Sequence, residues 1–347
     1  MVDLSGAAGR VREAVRDRRP CFISTPNLNF VVTAQRDAGF RDSVLRSDLN
    51  LADGMPLVWV AGLMGLPLPE RVAGASLFER LRDAVAAPIR VFFFGGPDGA
   101  AEQACRRLDA SAAGLRCVGF ESPGFVPVEA MSEPERIARI NASAPDFVLV
   151  SLGAAKGQAW IERNRARLTA PVLSHLGAVV NFAAGSVQRA PAWVQRSGLE
   201  WLWRVKEEPA LWRRYARDGI GFVHLLAARV LPYVLHARRN APTAAQLSAA
   251  TVERRGTVLH LRGAFSAAND APLRRAFAEA AGVDGELTLD CTGLSHVDPA
   301  VIALISLLWT SRRERGVPLR ITGVPPAVRR SIVLLCAGYL LEPQAAA

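Results

Sequence analysis

Short apolar runs alternate with stretches of helical periodicity through the N-terminal part of the chain. Residues 20–25 form a brief apolar run that ends in polar turn residues, and residues 30–45 read as one helix. Arg90-Val-Phe-Phe-Phe94 predicts a strand before Gly95-Gly-Pro-Asp-Gly99, with a helix over 100–108. Residues 115–120 are a further strand, 133–140 a helix, and Asp146-Phe-Val-Leu-Val-Ser-Leu152 a buried strand before Gly153. Residues 160–168 and 171–176 repeat the alternation. This pattern predicts an α/β fold, a Rossmann-like, mainly parallel sheet flanked by helices, with ligand groups at the C-terminal ends of the strands.

The pattern changes near residue 190. From Arg196 to Arg239 nine Lys/Arg face four Asp/Glu, interleaved with Trp201, Trp203, Trp212, Tyr215, Phe222 and Tyr233. The apolar stretch 219–235 contains His224, Arg229 and Pro232. Its short length and those interruptions argue for an amphipathic, interfacial helix over a spanning one. Simple packing against the sheet is the plainer alternative. Residues 237–250 read as a linker, after which strand and helix signals restart: strands at 257–262, 286–290 and 318–322, helices at 271–281, 300–315 and 327–336. The domains expected are therefore 1–236, with a basic aromatic appendage over about 196–236, and 251–347.

The length of 347 residues agrees with two domains. A net charge of +10 calls for an anionic partner. No nucleic-acid motif accompanies the basic aromatic stripe, so nucleic acid ranks below a phosphorylated substrate or an anionic lipid surface. The five cysteines show no metal-ligand spacing and suggest neither a zinc site nor a disulfide frame. No apolar leader precedes the first charges, which predicts a cytoplasmic protein.

The turns expected at the strand ends carry the candidate chemistry. Thr25-Pro-Asn27, Asp53-Gly54, Gly95-Gly96 and Gly153-Ala-Ala-Lys156 would share one edge of the sheet. Gly95-Gly96 before a helix suits backbone N–H binding of phosphate, and equally a tight turn. Asp53, followed by Gly54, Pro56 and an apolar run, reads either as an N-cap or as an acid facing a ligand.

In order along the chain stand Thr25-x-Asn27, Asn50-x-x-Asp-Gly54, Arg71-Val-Ala-Gly74, Phe93-Phe-Gly-Gly96, Leu152-Gly-x-x-Lys156 with Trp160, Arg189-Ala-Pro191, Leu199-Glu-Trp201, Arg204 and Glu208-Pro209. This series resembles the bacterial WecG/TagA/CpsF glycosyltransferases. The resemblance implies inverting transfer, without metal or cofactor, of an N-acetylmannosamine-type sugar or a uronic acid. The donor would be a UDP-sugar, the acceptor an undecaprenyl-diphosphate-linked sugar, and the setting cell-surface polysaccharide synthesis at the inner face of the cytoplasmic membrane. By that resemblance Asp53 is the general base and Arg71 stabilises the diphosphate leaving group. Thr25, Asn27, Gly95, Gly96, Lys156 and Gln158 bind substrate, and Arg204 and Arg214 belong to an appendage that closes over the site. Two departures bear on activity: Gly157 stands where the family has a polar side chain, and Leu211 where it has an arginine. A degenerate transferase that serves as a docking protein is the alternative.

The C-terminal segment carries Leu289-Asp-Cys-Thr-Gly-Leu294, Val297-Asp298, Arg315-Gly316 and Leu319-Arg-Ile-Thr-Gly323, and resembles a STAS domain. That resemblance implies binding of a protein partner or self-association. Where phosphoregulated members have a hydroxyl after the aspartate, this chain has Pro299-Ala300, so the phosphate switch is expected to be lost.

Overall fold

The structure is a computed structural model that describes residues 2–66, 68–83, 87–110 and 114–342. It divides into two compact units, one of residues Met1–Trp59 with Leu68–Gly219, the other of Val60–Pro67 with Ile220–Ala347.

The first unit is built on six parallel strands: β1 (Cys21–Ser24), β2 (Leu49–Asn50), β3 (Ile89–Gly95), β4 (Leu115–Glu121), β5 (Phe147–Ser151) and β6 (Val172–His175). Their order across the sheet is β2-β1-β6-β5-β3-β4. Strands β1, β5 and β6 are buried at every residue, which is why they read as continuous apolar runs without alternation. One core lies on each face of the sheet. Phe93, Leu149, Leu77 and Phe78 belong to the first; Phe94, Val150 and Trp160 belong to the second, where the Phe94 and Trp160 rings stack at 4.2 Å.

Two local features differ from the sequence pattern. The helix expected over 30–45 is two helices, Leu28–Ala34 and Ala38–Leu45. Asp37 divides them, because its carboxylate accepts from the Phe40 N–H at 2.9 Å and starts the second helix. Cys105 and Cys117 form a disulfide between the helix Ala100–Ala110 and β4, contrary to the expectation of no disulfide; neither spacing nor composition signals a pairing that the fold makes with Cα atoms 5.2 Å apart.

The second unit carries β7 (Thr251–Arg255), β8 (Val258–Phe265), β9 (Leu287–Val297) and β10 (Leu319–Thr322) in the order β10-β9-β8-β7, with only β7 antiparallel to its neighbour. Leu259, Leu261, Leu287, Leu289 and Leu319 turn inward onto the helices Ala271–Ala281 and Pro299–Glu314. Arg312 is wholly buried, and its guanidinium donates to the carbonyls of Ala280, Val283, Gly285 and Pro318. It thereby ties the end of the helix Ala271–Ala281 and the turn after it to the residue that precedes β10. Part of the segment read as a linker is ordered: Thr243 and Gln246 form a reciprocal capping box on the short helix Ala244–Ser248.

From Pro209 to Arg239 the chain is one continuous helical run, long and apolar enough to cross a membrane by length and composition. This removes the argument from interruption at Pro232. Proline has no N–H and its ring crowds the carbonyl four residues back, but Leu226–Val230 widens into a π-turn that accommodates it. Within the second unit the last turns of this run are packed on protein. Val230 and Tyr233 are buried, Arg229 donates to the Val333 carbonyl, and His236 bonds that of Ala327.

Candidate active site

Because the six strands are parallel, Thr25, Asp53, Gly96 and Gly153 all follow C-terminal ends on one edge of the sheet, as the turn chemistry predicts. The exits of β1 and β2 are zipped together beyond the strands: Leu51 N–H donates to Ser24 O at 2.9 Å and Asp53 N–H to Pro26 O at 2.8 Å. Asp53 is thereby set against the Thr25–Asn27 turn. Asn27 caps the helix Leu28–Ala34, its Oδ1 accepting from Phe30 N–H at 3.3 Å.

The carboxylate of Asp53 does not cap the helix that follows it. Its Oδ2 accepts from the N–H of Gly74 at 3.3 Å, the first residue of the helix Gly74–Leu81. Gly74 is required by close approach, since a Cβ there would lie 2.6 Å from Leu176 Cδ2 and 3.4 Å from Thr25 Cγ2. The same turn supplies Arg71, whose Nη1 lies 2.8 Å from Glu200 Oε2 in an ion pair that is largely shielded from solvent. Arg189 also faces the site and donates to Ser76 Oγ at 2.6 Å.

These charges compete at Asp53. Burial is the largest influence and disfavours the charged form; the Glu200 carboxylate adds to it, while Arg71, the Gly74 N–H and Arg189 pull the other way. The balance pushes Asp53 up to about 6. A carboxyl with that proton affinity is ionised at neutral pH yet remains a usable base.

The other candidate residues are placed differently. Gly95 ends β3 and Gly96 follows it, three strands from β1 and hence roughly 14 Å across the sheet. Both have positive φ, and a Cβ on Gly95 would meet Ser151 O at 2.7 Å, so close packing accounts for this pair. Lys156 donates to the Val126 carbonyl at 3.1 Å. Gln158 is fully buried and bonds Ser24 and Ser43, so its amide holds the end of β1 in place and faces no substrate space. Arg204 pairs with Glu208 at 2.6 Å and lies over the Phe182 ring. Arg214 is exposed over Tyr215.

Gly157 has a physical account. His175, at the end of β6, is buried against it, and a Cβ on Gly157 would lie 2.2 Å from the imidazole Cδ2. The His175 Nε2–H donates to the Leu152 carbonyl at 2.5 Å, and burial holds the ring below its ordinary pKa, in the neutral form. The imidazole therefore fills the space that a side chain at 157 would need. Gly157→Ala is expected to lower stability by about 1–3 kcal/mol through overpacking, measured by urea unfolding. An unchanged midpoint would show that the ring can move aside.

Three residues gain importance that sequence reasoning did not assign. Arg189 and Glu200 lie in recognisable motifs, but only the fold places them beside Asp53 and Arg71. His175 had no motif at all.

Residues 1–234 match the glycosyl transferase WecG/TagA/CpsF family, and residues 248–341 match the Mlab, STAS domain. An N-acetylglucosaminyldiphosphoundecaprenol N-acetyl-beta-D-mannosaminyltransferase of Bacillus spizizenii is 35% identical over 194 residues, covering 53% of this chain and 74% of that protein. The protein of the same name from Bacillus subtilis is 29% identical over 193 residues, 55% and 73% of the two chains. The one from Staphylococcus aureus is 24% identical over 197 residues, 56% and 74%. With a family match over two-thirds of its length and Asp53 and Arg71 gathered on one sheet edge, the chain belongs to the WecG/TagA/CpsF glycosyltransferases and carries a STAS domain behind the transferase.

Proposed function

We propose that this glycosyltransferase moves a sugar from a UDP-sugar to an undecaprenyl-diphosphate-linked sugar acceptor, with inversion, in the synthesis of a cell-surface polysaccharide. The N-acetylmannosaminyl transfer named for its relatives makes an N-acetylmannosamine-type donor the first candidate, with a uronic acid next. The observation that carries the reading is the placement of Asp53, held at about 6, near the cation Arg71 from the turn before the helix Gly74–Leu81. Inverting transfer needs a base to take the proton of the acceptor hydroxyl and positive charge to meet the departing diphosphate. Arg71 and Arg189 supply that charge from side chains. Thr25 and Asn27 border the same space and are the substrate contacts we favour.

The acceptor is a lipid, and the surface has features suited to its membrane. The helix Met55–Leu63 begins two residues after Asp53, is apolar throughout, and has no buried residue. Trp59, Trp193 and Trp212 are 52%, 68% and 56% exposed. Arg213 lies over Trp212, Arg214 over Tyr215 and Lys206 over Trp203, a pairing of cation and ring suited to an anionic interface. We read the 209–239 run as interfacial, because Val230 and Tyr233 in its last turns are buried against protein while Leu231 and Leu235 stay exposed, so that one face and not the whole circumference is open to lipid. The location proposed is the inner face of the cytoplasmic membrane. Mass-detected transfer from a panel of UDP-sugars to a lipid-diphosphate acceptor tests the reading; no transfer from any donor by folded protein would defeat it.

The STAS domain is proposed as a constitutive docking or self-association module. Asp298 Oδ1 accepts from Val301 N–H at 3.0 Å and Oδ2 from Ala267 N–H at 2.7 Å, so a carboxylate already occupies the helix start. Ala300 offers no oxygen, and the Ser306 hydroxyl is buried between the Ile302 carbonyl and the Tyr339 hydroxyl. Incubation with anti-sigma-type kinases should leave the domain unmodified. Stoichiometric phosphate on the exposed Ser295, with a change in partner binding, would show that the switch has moved and is not lost.

A further inference from the structure

Every charged group around Asp53 except one is accounted for by the transfer chemistry. Arg71 and Arg189 are cations where negative charge develops, and the Gly74 N–H is a donor to the carboxylate. Glu200 is an anion in the same place, and it would repel both the base and an incoming diphosphate. It comes from the first turn of the helix Glu200–Glu207, in the basic appendage, and reaches Arg71 at 2.8 Å with both side chains largely enclosed.

We propose that Glu200 is a positioning residue of the transferase, which holds Arg71 beside Asp53 and offsets the positive charge that Arg71 and Arg189 would otherwise impose on the base. The proposal deepens the reading of Asp53 as the general base and rests on it. Two guanidinium groups nearby and an N–H bonded to the carboxylate work against burial and weaken it as a base. An opposing carboxylate on Arg71 offsets part of that pull without removing the cation. The guanidinium has five N–H donors, so an ion pair through Nη1 still leaves donors for a diphosphate. Since Glu200 is carried by the appendage, the seating of that helix adds to the basicity that burial already gives Asp53. Trp203 on the same helix fixes the seating by donating its indole N–H to the Gln188 carbonyl at 3.2 Å, next to Arg189.

Four groups face Asp53, and the sign of each perturbation follows. Glu200→Gln keeps an oxygen that accepts from Arg71 but deletes the negative charge, so repulsion falls and the pull of Arg71 and Arg189 rises. The Asp53 carboxyl should then titrate at lower pH, by on the order of one pH unit. Arg71→Gln deletes the cation and leaves Glu200 facing the carboxyl, so Asp53 should titrate at higher pH. Glu200→Asp keeps the charge and should restore most of the wild-type midpoint.

The test is a pH titration of the Asp53 carboxyl by carbon-13 NMR in the full chain, alongside the pH profile of sugar transfer. For Glu200→Gln, the expected result is a lower midpoint, a matching downward move of the acidic limb of the transfer profile, and a several-fold lower plateau from the weaker base. Should that variant not fold, Arg71→Gln carries the test through its opposite sign. A midpoint that stays at the wild-type value in Glu200→Gln, or equal shifts in Glu200→Gln and Glu200→Asp, would overturn the proposal and leave a merely structural ion pair. The NMR titration needs no substrate. An inactive wild-type protein that nonetheless shows the opposed shifts would therefore refute the transfer reading and uphold the charge balance.

Discussion

Asp53→Asn should abolish sugar transfer and at the same time make the protein more stable at neutral pH. Asparagine matches the shape of the carboxyl and can still accept from the Gly74 N–H, but it cannot take a proton, and loss of a general base costs roughly 10²–10⁴ in rate. The stability effect follows from the raised proton affinity. Asp53 titrates near 6 in the folded chain against an ordinary value of 3.8, so the folded state holds its proton more tightly than the unfolded state does. As pH rises from about 4 to about 6 the unfolded chain ionises first and gains on the folded one. Above that range the ionised Asp53 costs the fold about 1–3 kcal/mol, with partial solvent access keeping it below the full two-unit value. Urea unfolding at pH 7 should therefore favour the variant, and the advantage should shrink as pH falls through 6 and fade near about pH 3, where Asp53 is largely protonated in both states. A variant less stable than wild type at pH 7 would mean that the carboxylate is held by interactions stronger than those seen. Near-normal turnover would end its assignment as the base.

The parallel strands were legible because burial on both faces makes them continuous apolar runs bounded by Gly, Pro and Asp, as in Phe92-Phe-Phe94 and Phe147-Val-Leu-Val150. Strand β7 was not. Thr251-Val-Glu-Arg-Arg255 is an exposed edge strand with one partly buried apolar residue, and its charges protect an open edge while erasing the alternation that would reveal it. Asp53 stood out in the sequence because it sits with Gly54 on a turn where a strand gives way to a helix, and Arg71 because its short motif resembles that of the family. The ion pair of Arg71 with Glu200 could not be read. It joins turns on elements remote in sequence, and the pattern of either segment is silent about the other. Gln158 shows the opposite error. A polar residue in a motif next to a lysine reads as a ligand group, whereas its place on the inner side of the helix Ala154–Asn164 directs it to Ser24 and Ser43. Gly157 looked like decay of the motif, yet the His175 ring occupies its space and explains it.

Membrane association should separate into a salt-sensitive and a salt-insensitive part, each removable without the other. Glutamate at Arg213, Arg214 and Arg217 reverses charge on one helix, Trp212–Leu225, where Arg213 and Arg214 are exposed and stacked on rings. Each basic residue near an anionic surface contributes about 1 kcal/mol, so loss of three attractions alone predicts roughly 10²-fold weaker binding to anionic vesicles, with reversal adding to that. What binding remains should be nearly flat in salt. Serine at Trp59 and Leu63 acts on the uncharged helix Met55–Leu63, where both side chains are more than half exposed and their removal leaves no internal cavity. Burying one large apolar side chain is worth about 1.5–3 kcal/mol, so this pair should also weaken binding by at least ~10²-fold, on neutral and anionic vesicles alike, while leaving the salt slope as in wild type. The measurement is co-sedimentation with vesicles of both compositions over a range of salt. Apolar insertion beside Asp53 and charge on the appendage are independent attachments, so the five-fold substituted chain should stay in solution with any vesicle. Equal binding by wild type and the arginine triple variant would remove the electrostatic half. A steeper salt slope after the Trp59 and Leu63 changes, with neutral-vesicle binding intact, would remove the apolar half and leave the Met55–Leu63 helix as a surface facing something other than lipid.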